Sequence, residues 1–180
     1  GTTVTYTYEA AHNKVASMKD RAGNTTSYQY DAAGNLTQIS KPLGVTERYT
    51  YDAKGNVLRS IGAVNDTTLY VYDANGYQTK MTDAMGGIIQ MTYDCHGNRL
   101  TETDARNNTT TYQYNALNRL VKTTDALGHS ATFTYDPAGN LTATTNALGK
   151  TTTYLYDGLG RCISTITPLG IATATVYDQQ

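Results

Sequence analysis

Tyr28-Gln29-Tyr30-Asp31-Ala32-Ala33-Gly34-Asn35-Leu36 decides how this chain is read, because the string returns at a fixed interval and a fixed interval makes a fold repetitive. The tyrosine before the turn falls at Tyr30, Tyr51, Tyr72, Tyr93, Tyr114, Tyr135, Tyr156 and Tyr177, every 21 residues, and an earlier copy ends at Tyr8, one residue out of step. Between these copies lies a second string, seen as Asp20-Arg21-Ala22-Gly23, Lys41-Pro42-Leu43-Gly44, Asp83-Ala84-Met85-Gly86, Asp125-Ala126-Leu127-Gly128, Asn146-Ala147-Leu148-Gly149 and Thr167-Pro168-Leu169-Gly170. Each period therefore holds two turns and two short runs.

The runs before each tyrosine-aspartate pair, such as Thr3 to Tyr8, Leu69-Tyr70-Val71-Tyr72 and Thr153-Tyr154-Leu155-Tyr156, are rich in β-branched and aromatic residues and lack helical spacing. They read as strands. Side chains alternate along a strand, so the two aromatics share one face and the residue between them takes the other. The runs after the turn, such as Leu36 to Ser40 and Leu141 to Thr145, carry one or two aliphatics among threonines and read as weaker strands.

The turns can be typed from their chemistry. A type I turn favours Asp or Asn first, accepts proline second and wants glycine fourth, and a left-handed fourth residue makes a hairpin bulge. All three prolines, Pro42, Pro137 and Pro168, fall second. Glycine is fourth at Gly23, Gly34, Gly44, Gly55, Gly76, Gly86, Gly97, Gly128, Gly139, Gly149, Gly160 and Gly170; Asn65, Asn107, Asn118 and His12 fill the other four places. These are residue types that tolerate positive φ. The exchange satisfies backbone geometry and would not satisfy catalysis, so the glycines and the repeat tyrosines are expected to be structural.

Two architectures fit the cadence, a flattened β-roll and a continuous antiparallel meander. Bulged type I turns are hairpin devices, so the expectation is an all-β, repetitive antiparallel hairpin meander with about two strands per repeat. It covers 1–180 as a single array of eight complete repeats and a truncated ninth, a fragment of a larger protein.

Tyr-Asp-x-x-Gly-Asn-Leu with an intervening Asp-Ala-x-Gly resembles the YD repeat, or RHS repeat, of Rhs proteins, Tc toxin components, wall-associated toxins and teneurins, and the likeness runs through essentially the whole chain. The resemblance implies a spiral of hairpins forming the wall of a hollow shell. In the bacterial members that shell encloses a toxic C-terminal domain; in teneurins it belongs to an adhesion receptor. Shells of this family often end in a self-cleaving region with paired Asp-Pro-x-Gly motifs. Asp136-Pro137-Ala138-Gly139 has the local string but sits in an ordinary repeat turn with no second copy beyond it, so it reads as structural.

Composition and motifs exclude several function classes. A net charge of -1 with both signs scattered offers no basic stripe for nucleic acid. No apolar run approaches the ~20 residues of a membrane helix, and the strands are shorter than the ~9–11 residues of a membrane barrel. Cys95 and Cys162 occupy different places in their repeats and are expected to be free thiols. His12, His96 and His129 show no metal-ligand spacing. Asp73-Ala74-Asn75-Gly76 lacks the later glutamate of a calcium loop and reads as an Asx turn. Asp125, His129 and Ser130 are close in sequence, but no Gly-x-Ser-x-Gly elbow accompanies them. Six Asn-x-Ser/Thr strings, beginning at Asn24, Asn35, Asn65, Asn107, Asn108 and Asn140, arise by chance in threonine-rich repeats.

The expectation is therefore no enzyme, no cofactor and no metal. The function expected is a wall segment of a YD-repeat shell around the C-terminal toxin cargo of a secreted bacterial toxin, secreted or at the cell surface. Its partners would be further repeats of the parent chain and the cargo. The alternative is a cell-surface adhesion or glycan-binding repeat fibre.

Overall fold

The computed structural model describes residues 3–178; the outermost residues of the expected 1–180 array, 1, 2, 179 and 180, lie outside the described residues. The chain forms two compact units, residues 1–90 and 91–180. Unit one holds β1 (Thr5–Tyr8), β2 (Val15–Lys19), β3 (Thr25–Tyr30), β4 (Leu36–Ser40), β5 (Thr46–Tyr51), β6 (Val57–Ile61), β7 (Thr67–Tyr72), β8 (Gln78–Thr82) and the start of β9 (Ile88–Tyr93). Unit two continues with β10 (Arg99–Thr103), β11 (Thr109–Tyr114), β12 (Leu120–Thr124), β13 (Ser130–Tyr135), β14 (Leu141–Thr145), β15 (Thr151–Tyr156), β16 (Cys162–Ile166) and β17 (Ala172–Ala174). Within each unit consecutive strands pair antiparallel, as in Tyr28↔Ile39 and Tyr154↔Thr165. This is the meander, not the roll.

The sheet has no thick core. Met91 is the one buried hydrophobic side chain among the described residues, and it stands where other repeats carry their first aromatic. In β7 the alternation is visible directly: Tyr70 and Tyr72 are half-buried while Leu69 and Val71 are exposed. Cross-strand neighbours must then stabilise the fold in place of a core. On the face opposite the tyrosines, hydroxyl pairs bridge the strands flanking the second turn: Thr103 with Thr109 at 2.8 Å, Thr124 with Ser130 at 2.9 Å and Thr145 with Thr151 at 2.8 Å.

The two turns of each repeat differ in register. After Ser40, Thr82 and Thr124 the ladder continues evenly into the next strand. At the tyrosine-aspartate turns it slips, so that Gln29 faces Gln38 but Tyr30 faces Leu36. The same slip occurs at Tyr8, Tyr51, Tyr72, Tyr114, Tyr135 and Tyr156. One extra residue on the strand that follows the turn is a β-bulge. It also disturbs strict alternation there, which is why the shorter strands read weakly.

The turns close as three-residue loops with a left-handed fourth position: Gly34 N–H donates to Asp31 O at 3.0 Å, and Asp31 N–H donates to Asn35 O at 2.9 Å. Asn65, Asn107 and Asn118 take φ of 63, 63 and 58°. Gly139 has φ +100°, and a Cβ there would lie 3.3 Å from Arg119 Nη1. Gly139→Ala is therefore expected to cost about 1–2 kcal/mol, read from the urea midpoint, whereas Ala138→Gly next to it should cost well under 1. Equal costs would remove backbone geometry as the cause.

Two turns depart from expectation. His12 does not take the left-handed position; Asn13 does, with φ 53°. The reason is an extra residue: Glu9 N–H pairs with Lys14 O, one position further than in other turns, and Glu9, longer than aspartate, caps Ala11 and His12 N–H at 2.8 Å each. This turn absorbs the offset of Tyr8. The Lys41 to Gly44 turn is not type I either. It makes a three-residue 3-10 turn, Pro42–Gly44, in which Leu43 has φ 65° and ψ 18° ahead of Gly44 at φ 79°. Lys41 has no short acceptor to hold the turn amides, and its ammonium bonds Glu47 at 2.6 Å instead. Leu43→Gly should raise stability by about 0.5–1 kcal/mol, since a left-handed leucine is strained; a fall in the thermal midpoint would contradict this.

Candidate functional site

The repeating residues meet at the tyrosine-aspartate turns. At Asp31, Asp52, Asp73, Asp94 and Asp157 one carboxylate oxygen accepts two backbone N–H groups, Asp31 Oδ1 for example from Ala33 at 2.9 Å and Asn35 at 2.8 Å, while Asp136 Oδ1 accepts that of Asn140 at 2.8 Å. The second oxygen accepts the amide of the residue after glycine, as in Asn35 Nδ2 to Asp31 Oδ2 at 3.0 Å, Asn98 to Asp94 at 2.8 Å and Asn140 to Asp136 at 2.8 Å. The sequence reading passed over this asparagine. Its signal was present: Asp and Asn recur four residues apart around the left-handed position.

The same bonds set the carboxyl acidities. Asparagine and backbone N–H donors hold Asp20, Asp31, Asp52, Asp94, Asp104 and Asp136 below the usual carboxylate range. Asp157 is lowered by Arg161, first through its backbone N–H and then through its guanidinium at 2.7 Å. At Asp125 partial burial pushes upward, but the N–H and ring of His129 outweigh it.

The repeat tyrosines tie each turn to the preceding hairpin. Tyr30 OH donates to Val15 O, Tyr51 to Leu36 O, Tyr135 to Leu120 O, Tyr156 to Leu141 O and Tyr177 to Cys162 O, at 2.7–3.0 Å. Each acceptor lies fifteen residues upstream. Burial pushes the Tyr51, Tyr72, Tyr114 and Tyr156 phenols up, consistent with neutral hydroxyl donors. Where arginine replaces the capping asparagine it covers the next ring: Arg119 lies 5.0 Å from the Tyr135 centroid and Arg161 4.6 Å from that of Tyr177.

Consecutive turns on this edge also touch. Lys14 Nζ donates to Gly34 O at 2.6 Å, Lys54 Nζ to Ala74 O, Asn98 Nδ2 to Asn118 Oδ1 at 2.8 Å and Arg119 Nη1 to Asp136 O at 3.2 Å. Shallow depressions follow the same period, one beside Glu9 and Tyr30, one beside Asp52 and Tyr72, and one of about 650 Å³ beside Asp136 and Tyr156. A depression that recurs with the repeat is a property of turn stacking. It does not single out one repeat for chemistry.

The remaining candidates are placed apart from one another. His129 Nδ1 meets Asp125 Oδ2 at 3.0 Å, but the Ser130 hydroxyl bonds Thr124, so these three do not form a relay. Asp73 Oδ1 accepts Asn75 and Tyr77 N–H at 2.9 Å each, an Asx turn. Cys95 and Cys162 are both free thiols, the first exposed in a turn with its Sγ 3.4 Å from His96 Nδ1. Among the described residues no three His, Cys, Asp or Glu side chains gather as a metal-binding group. No helix there is long and apolar enough to cross a membrane.

What the repeating geometry defines is a structural scaffold, an all-β array whose recurring residues hold corners and rungs. The Teneurin YD-shell family profile matches residues 44–180, and the RHS Repeat profile matches residues 11–46. The chain belongs to the YD-shell family, and its role there is that of a shell segment. No curated protein matches it significantly. Among solved structures, that of a Photorhabdus luminescens Tc holotoxin pore is similar at 17% identity and a TM-score of 0.64, covering 91% of this chain and 12% of that chain. A TcdB2-TccC3 structure, also at 17% identity, covers 91% of this chain and 13% of that one at a TM-score of 0.43. The chain thus spans about an eighth of these proteins, and at such identity the likeness is one of fold.

Proposed function

We propose that this chain is one stretch of wall in a YD-repeat shell that encloses the C-terminal toxin cargo of a secreted bacterial toxin. The observation that carries the reading is the family match over residues 44–180, and the fold likeness to a Tc holotoxin lends it the toxin setting. In this reading residues 1–180 are eight complete repeats and part of a ninth from a longer protein that works outside the producing cell. Its partners are further repeats and the cargo.

The mechanism is confinement. Nine tyrosines, Tyr8 through Tyr177 at the repeat positions, and the twelve turn glycines act as framework and perform no chemistry. Backbone groups within the array are satisfied by the ladder and the turn carboxylates, so a thin wall needs no second layer for that purpose. The wall separates cargo from cell by volume and by a half-polar lining. The comparisons lend the glycan-binding fibre no support.

The test uses the intact parent protein. A domain encoded downstream of the repeats should resist protease while the parent is folded and be digested once the shell is opened with denaturant. Digestion at the rate of the free domain, or a parent gene without such a domain, would overturn the proposal.

A further inference from the structure

Asn75-Gly76 is the one place in the chain where glycine follows asparagine. The pair fills the third and fourth positions of the turn opened by Asp73, between β7 and β8. Asn75 is exposed, and its side-chain amide makes no hydrogen bond among the described residues; its backbone N–H is held by Asp73 Oδ1 at 2.9 Å. Gly76 has φ +90° and no side chain to crowd an approach to its nitrogen. That nitrogen and the neighbouring amide carbon belong to one short stretch of chain, so joining them requires no second molecule to be positioned.

This turn is also less tied than several others. After Asp31, Asp52, Asp94 and Asp136 the residue following glycine is asparagine, and its amide closes on the second carboxylate oxygen at 3.0, 2.9, 2.8 and 2.8 Å. Tyr77 stands in that place here and has no amide to give. The turn is closed by Asp73 N–H to Tyr77 O at 2.9 Å and by Gly76 N–H to Asp73 O at 3.1 Å. The second of these bonds must open before the Gly76 nitrogen can react, and an exposed turn opens locally at little cost.

We infer that Asn75 is a self-modification site, at which the chain's own backbone and water convert the side-chain amide to a carboxylate. The Gly76 nitrogen attacks Asn75 Cγ and forms a five-membered succinimide, while the side-chain nitrogen departs as ammonia with the Gly76 proton. Water then adds to one imide carbonyl and breaks its bond to the ring nitrogen. Opening at the side-chain carbonyl leaves aspartate; opening at the backbone carbonyl leaves isoaspartate, which lengthens the turn by one methylene. Either product adds one negative charge to a net charge of -1. The charge arises next to Ala74, whose carbonyl accepts the Lys54 ammonium.

Asp157-Gly158 supplies the contrast. Its carboxylate accepts Leu159 N–H at 3.0 Å, Arg161 N–H at 2.9 Å and Arg161 Nε at 2.7 Å. An ionised carboxylate held in this way offers no leaving group, so the equivalent ring does not form there. The inference does not rest on the shell reading.

The full chain is incubated folded, and in parallel unfolded in urea, at mildly alkaline pH, then digested after lysine and arginine. Residues 60–80 are released as one peptide in which Asn65 serves as an internal standard. Mass spectrometry should show that peptide splitting into aspartate and isoaspartate forms altered at position 75, at a folded rate within about tenfold of the unfolded one. Conversion at Asn65 should lag by at least about tenfold. Asp73→Ala, which frees the Asn75 and Tyr77 N–H groups, should quicken the conversion, and Asn75→Ser should abolish the altered peptide. If Asp73→Ala loses its β-sheet circular dichroism, the folded and unfolded rates of the unmodified chain decide. A folded rate more than about tenfold below the unfolded one, or conversion no faster at Asn75 than at Asn65, overturns the inference.

Discussion

Replacing Tyr135 by alanine is expected to destabilise unit two by about 2–3 kcal/mol, and replacing it by phenylalanine by about 1. The two numbers separate two contributions. Phenylalanine keeps the ring under the Arg119 guanidinium, 5.0 Å from the centroid, and loses only the 2.9 Å bond from the hydroxyl to Leu120 O. Alanine removes the ring as well and leaves the half-buried rung between β12 and β14 without its filler. The alanine figure is set below that of a fully buried aromatic because the sheet is a single layer and the ring keeps some solvent. Each repeat contacts only its neighbours, so the loss should stay local. Amide exchange should quicken in β12 to β15 and hardly at all in β2 to β4. An alanine cost below about 0.5 kcal/mol, or exchange that quickens evenly along the chain, would remove the tyrosines from the framework role.

Acid should unfold the array cooperatively with the number of turn aspartates. Eight aspartates, Asp20, Asp31, Asp52, Asp94, Asp104, Asp125, Asp136 and Asp157, have carboxyls held below their ordinary value by turn donors. A depressed folded pKa contributes stability that is fully present above the unfolded value, about 3.9, and is lost as pH falls through the lower folded value. The thermal midpoint should accordingly be flat from pH 7 to about 5 and fall steeply below about 4. Asn115 and Asn146 show how to test the cause, because each accepts the same two backbone N–H groups at 3.0 Å without a charge. Asp31→Asn, Asp52→Asn, Asp94→Asn and Asp136→Asn together should fold at pH 7 and flatten the acid limb. An unchanged acid limb in that variant would place the lability elsewhere.

The fold was legible because its signals are local and repeated. Tyr70-Val71-Tyr72 alternates with period two, and a short polar residue followed by glycine three positions on specifies a bulged turn without reference to distant chain. Repetition multiplied a weak motif into a strong one. The failures fell where a repeat broke its own rule. His12 was assigned by counting to the fourth turn position, while the extra residue handed positive φ to Asn13. Lys41 opens its turn at the same place in the repeat, yet Pro42–Gly44 forms a 3-10 turn with Leu43 at positive φ, and the lack of a side-chain cap does not by itself explain it, because the turn opened by Gly62 lacks one too and keeps the ordinary hydrogen bonds.

The framework of the candidate site was only half legible. The glycines and tyrosines announce themselves by period, and so does asparagine after glycine, but its role depends on a carboxylate oxygen left over once the other has taken two N–H bonds. The tyrosine hydroxyls needed the bulge as well. A bond to a carbonyl fifteen residues upstream requires two hairpins side by side in a known register, which no local pattern encodes.

By itself, then, the sequence determined the all-β class, the hairpin cadence, the left-handed corners and the face shared by each aromatic pair, since each follows from dihedral and side-chain preferences within a few residues. Tertiary structure decided the register slips at Tyr8, Tyr30, Tyr51, Tyr72, Tyr114, Tyr135 and Tyr156 and the partners of the phenols and arginines. Those depend on which strands lie beside each other. Adjacency between repeats is set by the summed ladder of hydrogen bonds and not by any single residue.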